Sequence, residues 1–144
     1  MHYHLRAFHP EDYPAAYAPW RRTPGLSLSA RADSRAAIEV FLRHNPGLSF
    51  VLVTEQDELV GTILGGFDGR RGYIHHLAVA VEHQGRGLGR VLVQRCLEAF
   101  AQLGLEKVHA LVYTANRRGQ GFWEHLGWRR RGDLVIYTWA FEPA

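Results

Sequence analysis

Cys96 is the only cysteine in the 144 residues. An intramolecular disulfide is therefore impossible, and a four-cysteine zinc site is excluded; no metal site is expected. No stretch approaches the roughly 20 apolar residues of a membrane span. The opening MHYHLRAFHPEDY lacks the basic-then-apolar layout of a secretory signal. These absences point to a cytoplasmic protein with no membrane partner. No repeat, low-complexity tract or linker interrupts the chain, so residues 1–144 read as one domain, long enough to bury a core. Concentrated charge of one sign is missing too. The net charge is only +3, and the arginines sit in small groups: Arg21-Arg22, Arg70-Arg71, Arg117-Arg118 and Arg129 to Arg131. That spread suits a solvated surface, so no nucleic-acid partner is expected. The basic pI near 9.4 keeps such a module as a rival reading.

What the chain does have is clear periodicity. Residues 2–8 alternate and predict a strand. Pro10 opens a helix with Tyr13, Ala16, Tyr17 and Trp20 at three- and four-residue steps, ended by Pro24-Gly25. Asp33-Ser34 reads as an N-cap before AAIEVFLRH, whose Ile38, Phe41 and Leu42 share a face. Strand-like runs at 48–54, 59–68 and 72–81 are joined by EQDE and GRR, short enough for hairpins. From 87 to 103, Leu88, Val91, Leu92, Cys96, Ala99, Phe100 and Leu103 follow the 3.6-residue period of a helix, with Cys96 a small core residue. A strand is predicted at 107–113, a short helix from Asn116 to Leu126, and a final strand at 133–142, with room for a short one at 128–131. The order is that of an α+β protein: a mostly antiparallel mixed sheet flanked by helices, with one strand–helix–strand crossover.

The sequence HQGRGLGRVL, residues 83–92, joins the 72–81 strand to the long helix. A strand–turn–helix of this kind exposes unpaired N–H groups at the positive end of a helix dipole and so favours phosphate. Gly85, Gly87 and Gly89 remove side chains that would hold a diphosphate away from the backbone, and Arg86 and Arg90 add charge. The dinucleotide fingerprint needs a glycine where Arg90 stands, and the P-loop needs a Gly-Lys-Ser/Thr that is absent. A glycine-rich turn with no ligand is the plainer alternative.

Gln84-Gly85-Arg86-Gly87-Leu88-Gly89 resembles the Gln/Arg-x-x-Gly-x-Gly/Ala signature of the GCN5-related N-acetyltransferases (GNAT). Asn116 followed by GFWEHLGW is similar to that family's second signature, and GGFDGRRGYIHHLAV is similar to its small bacterial YpeA-like branch. The likeness covers nearly the whole chain. It implies a GNAT fold and acetyl-CoA as cosubstrate, with the acetyl group passed directly to a primary amine in a ternary complex. It further implies that backbone groups of Gln84, Gly85, Arg86, Gly87, Leu88, Gly89 and Arg90 hold the diphosphate. The backbone across Leu77, Ala78 and Val79 would pair with the pantetheine arm, and the Val79 N–H would face the thioester oxygen. Asn116 matches a cofactor contact as well as a helix N-cap. The family also makes a homodimer plausible.

An amine of lysine type has a pKa near 10 and must lose a proton before it attacks. Strict alternation along 72–81 places Tyr73, His75, Leu77 and Val79 on one face, which makes His75 the candidate base. Where the family usually carries a tyrosine to protonate the leaving thiolate, this chain has Trp123, whose indole is no practical acid. Three readings stay open: Trp123 only packs against the cofactor, Tyr113 or Tyr137 supplies the proton, or the thiolate leaves unaided. A catalytically weak acyl-CoA-binding sensor or partner protein is the second reading.

Overall fold

The computed structural model describes residues 2–141. Its elements, in chain order, are β1 (Tyr3–Ala7), α1 (Tyr13–Arg22), α2 (Arg35–His44), β2 (Phe50–Thr54), β3 (Leu59–Phe67), β4 (Gly72–Val79), α3 (Leu88–Ala101), β5 (Val108–Ala110) and α4 (Arg117–His125). One 3-10 turn precedes α1 and another, Val81–His83, follows β4. The strands lie in the order β1-β2-β3-β4-β5. The first three pairings are antiparallel and β4–β5 is parallel, through the α3 crossover. The expected α+β architecture, a GNAT-type sheet flanked by helices, is the one found.

Each face of the sheet buries a separate core. Alternation along β2 sends Phe50 and Leu52 to the α3 side, where they meet Ile63, Leu92, Val93, Cys96 and Phe100. It sends Val51 and Val53 to the side of α1 and α2, against Trp20, Ile38 and Leu64. All five β2 residues are buried because both faces are covered. Cys96 sits wholly inside, its thiol donating to the Leu48 carbonyl at 3.3 Å. Burial pushes the thiol pKa up to about 12, so it is a core group and not a nucleophile. Ser34 caps α2 as its sequence predicts, its hydroxyl accepting the Ala37 N–H at 3.1 Å.

Two expectations fail. The expected strand at 107–113 forms only over Val108–Ala110. The strands expected at 128–131 and 133–142 do not form within residues 128–141, and Glu142 lies outside the described residues. A strand is defined by its hydrogen-bond partner, and alternation records only a two-faced side-chain pattern. The tail keeps that pattern without a partner strand.

One polar chain ties the helical layer to the sheet. The Trp20 indole N–H donates to Thr62 Oγ1 at 2.9 Å, and the Thr62 hydroxyl donates to the His76 carbonyl at 2.8 Å. Trp20 and Thr62 are both fully buried. Thr62→Val keeps the shape but strands the indole N–H and the carbonyl, at an expected cost of about 1–3 kcal/mol. Urea denaturation checks this; unchanged stability would show that the chain holds nothing.

Candidate active site

The site begins with an irregularity in β4. Thr62 pairs with Ala78 and Leu64 with His75, so His76 and Leu77 stand opposite Ile63 alone. This bulge puts His76 at φ +47, a conformation that side-chain-bearing residues avoid and that surrounding contacts must hold. Thr62 holds the His76 carbonyl. Asp33, from the α1–α2 loop, holds the ring, with Oδ1 2.6 Å from His76 Nε2. The ring also packs edge-on to Trp20, centroids 4.7 Å apart.

The bulge corrects the facing expected from strict alternation. His75 lies 5.9 Å from the Phe41 ring of α2 and stacks on Tyr73, while His76 lies against α1. Leu77 and Val79 instead pack with the α3 core. His75 therefore does not share a face with Leu77 and Val79, because the extra residue resets the alternation between them. Both histidines nevertheless line one cleft with Leu77, Ala78 and Val79. Burial, with a smaller contribution from His76, pushes the His75 ring below the usual imidazole pKa. That shift favours the neutral imidazole, the form able to accept a proton.

The cleft exists because β4 and β5 part company. Their pairing ends at Ile74 opposite Ala110. Beyond it lies a cavity of about 1000 Å³ with Leu77 to Val79 on one side and Leu111 to Tyr113 on the other. The Ala80 N–H donates to Val60 on β3 at 2.8 Å, so the preceding amide, Val79, points to the opposite edge, into the cleft. The Val79 carbonyl accepts from Gln84 Nε2 at 2.9 Å, and Gln84 Oε1 accepts from Arg118 at 2.8 Å. The Gln84 side chain thus clamps the end of β4 to α4, a role its place in the motif did not reveal.

The three glycines divide into two jobs. Gly85 and Gly87 have φ of +79° and +78°, and a Cβ on either would meet nothing within 4 Å. They shape an open turn. Gly87 is the N-cap of α3 and no side chain caps it, so the Leu88, Gly89 and Arg90 N–H groups lack intrahelical partners. Gly89 is different: a Cβ there would come within 3.0 Å of the Phe122 ring. Its hydrogen lets α4 pack on α3. Gln84, Gly85, Gly87, Leu88, Gly89 and Arg90 line the cleft, whereas Arg86 is exposed and does not.

Asn116 lines the cleft and caps α4, accepting the Gly119 N–H at 2.9 Å. A Cβ on Gly25 would collide with the Asn116 amide, so the α1–α2 loop arches directly onto the start of α4. Thr23 to Ser27 of that loop border the cleft. Trp123 is half-buried against Trp128, ring centroids 4.4 Å apart, and also borders it. Tyr113 is brought to the cleft and Tyr137 is not: it is 93% exposed, on the unpaired tail.

Comparison with known proteins gives the family and the fold. The profile of the acetyltransferase (GNAT) family matches residues 5–128. An acetyltransferase of Pectobacterium atrosepticum is 32% identical over 122 residues, 85% of this chain and 84% of that protein. The PaiA N-acetyltransferase of Thermoplasma acidophilum, solved in complex with coenzyme A, has the same fold at 15% identity. Its TM-score is 0.76, over 88% of this chain and 89% of that one. A solved chain from Pyrococcus horikoshii superposes with a TM-score of 0.67 at 20% identity; the match covers 87% of this chain but only 42% of that longer one.

The division among the glycines is testable by stability alone. Gly89→Val should destabilise by about 1–3 kcal/mol through overpacking against Phe122. Gly87→Ala should cost about 1–2 kcal/mol through its left-handed backbone, with α3–α4 packing intact. Equilibrium unfolding measures both. A neutral Gly89→Val would contradict the packing role.

Proposed function

This chain belongs to the acetyltransferase (GNAT) family and is an acetyl-CoA-dependent N-acetyltransferase, and we propose that it acetylates a primary amine by direct attack with both substrates in the β4–β5 cleft. The observation that carries the reading is the parting of β4 from β5 beside an uncapped helix N-terminus. One cavity thereby joins a free strand edge to an anion-binding turn.

The residues present fit acetyl-CoA. The open space over Gly85 and Gly87 and the unpaired N–H groups of Leu88, Gly89 and Arg90 suit a diphosphate. Leu77, Ala78 and Val79 offer an unpaired strand edge to the amide-bearing pantetheine arm. Arg86 adds charge from the rim, and Asn116 and Trp123 stand at the wall, where a cofactor contact is compatible with capping and packing. The cosubstrate supplies an acetyl group activated as a thioester. The chain supplies the rest: the neutral His75 accepts the amine proton, directly or through water, and the Val79 N–H is a fixed donor for negative charge on the acyl oxygen. Tyr113 is the phenol on the cleft wall able to return a proton to the thiolate. Amine-dependent release of free CoA across an amine panel tests the reading. Acetyl-CoA binding with no release for any amine would favour the sensor.

The base assignment has its own test. His75→Gln should lower kcat/KM by roughly a hundredfold, the usual scale for loss of a general base. Acetyl-CoA affinity should hold, and folded His76→Gln should lose less. Because burial lowers the His75 pKa, the base stays neutral further into acid, and the acid limb of kcat/KM should fall below about pH 6.5. A larger loss at His76 would move the base to the Asp33–His76 pair.

A further inference from the structure

Asp33 and His76 form a largely buried pair to which the proposed acetyl transfer gives no chemical task. Their side chains are only 12% and 14% exposed, and Asp33 Oδ1 lies 2.6 Å from His76 Nε2. Asp33 is fixed from several sides. Its Oδ2 accepts the Ser29 N–H at 2.8 Å, and its carbonyl accepts the Tyr13 hydroxyl at 2.7 Å. Its own N–H donates to the Ser29 carbonyl at 3.0 Å. Holding the bulge accounts for one nitrogen of the His76 ring. It does not account for the other.

A carboxylate oxygen can only accept, so the proton of this contact sits on Nε2 and the neutral ring keeps Nδ1 as an acceptor. Nδ1 has no partner among the described residues. Every buried side-chain nitrogen or oxygen among them is paired, so Nδ1 is open to solvent. His76 borders the β4–β5 cleft beside His75 and the Thr23 to Ser27 loop. The cleft thus meets a free acceptor nitrogen backed by a carboxylate. Charge makes the placement specific. The guanidinium groups on the cleft lining, Arg90 and Arg118, belong to α3 and α4. A lysine-type amine, with a pKa of about 10, enters as a cation and gains nothing from them. Asp33 brings negative charge on the side of α1 and α2. Burial and His76 lower the His75 pKa while Asp33 opposes them, so the Asp33 field reaches the ring that takes the proton.

We infer that the Asp33–His76 pair is the docking point of the acceptor, receiving a primary ammonium through a hydrogen bond to His76 Nδ1. The inference rests on the proposed amine transfer and adds the charge state in which the acceptor binds. One ammonium N–H donates to His76 Nδ1, a charge-assisted bond. His75 takes a second proton and so frees the nitrogen lone pair for attack on the thioester. Binding and deprotonation fall to adjacent residues. An alcohol or an arylamine lacks the charge that the pair recognises.

Imidazole nitrogen shifts recorded by NMR on the CoA-bound protein test the docking without turnover. Butylammonium chloride should move His76 Nδ1 saturably, and neutral 1-butanol should not. Asp33→Asn tests the charge. Its amide can donate to Nε2, which puts the ring proton on Nδ1 and removes the acceptor. In that variant, folded by far-UV circular dichroism, the butylammonium response should vanish. KM for an amine that releases CoA should rise about tenfold or more, the scale of one hydrogen bond to a charged group, with kcat within about threefold. A wild-type His76 that ignores butylammonium or answers butanol equally overturns the inference, as does a folded Asp33→Asn with unchanged amine KM. Should Asp33→Asn unfold, the wild-type titration decides. Failure of the acetyl-transfer reading shows separately, as no CoA release with any amine.

Discussion

The site depends on one held distortion, the bulge at His76. The pairing of β4 with β5 ends at Ile74, two residues before the bulge. Two extra-strand contacts hold the bulge: the buried Thr62 hydroxyl on the His76 carbonyl, and Asp33 on the His76 ring. Both reach back to the α1 side of the sheet, through Trp20 and the α1–α2 loop. A positive φ on a histidine costs of the order of 1–3 kcal/mol. The buried hydrogen bonds and ring packing around it offset that cost. The helical layer on the α1 side of the sheet thus holds the bulge beside which the cleft lies.

Much of this was legible in the sequence, because strong periodicity and cap residues report local structure. The long helix after Gly87, the Ser34 cap and the antiparallel meander all followed from spacing. The open turn before α3 followed from its glycines, though only in outline: that Gly89 serves Phe122 depends on a contact between α3 and α4. The bulge was not legible. HHLAV alternates as well as any strand, and nothing local says that His76 is the residue out of step. The facing assigned to His75 failed for that reason, although the cleft gathers both histidines. The tail failed for the opposite reason: its alternation is present, but among the described residues no strand pairs with it.

The cleft places its groups by backbone more than by side chain. The Val79 N–H is turned outward by the antiparallel pairing of β4 with β3, and the α3 amides are left free by helix geometry. Such donors stay where they are through a reaction, which is the condition for useful electrostatic stabilisation. Side chains complete that frame, with Gln84 clamping strand to helix and the two histidines packed toward α1 and α2.

We propose that a single cleft holds acetyl-CoA by these backbone amides. Amide chemical shifts recorded by NMR while acetyl-CoA is titrated in test it most directly. The largest shifts are expected at Val79, Leu88, Gly89 and Arg90, all moving together with one affinity. Saturable binding that leaves those four amides unshifted, while others move on a different face, would contradict it.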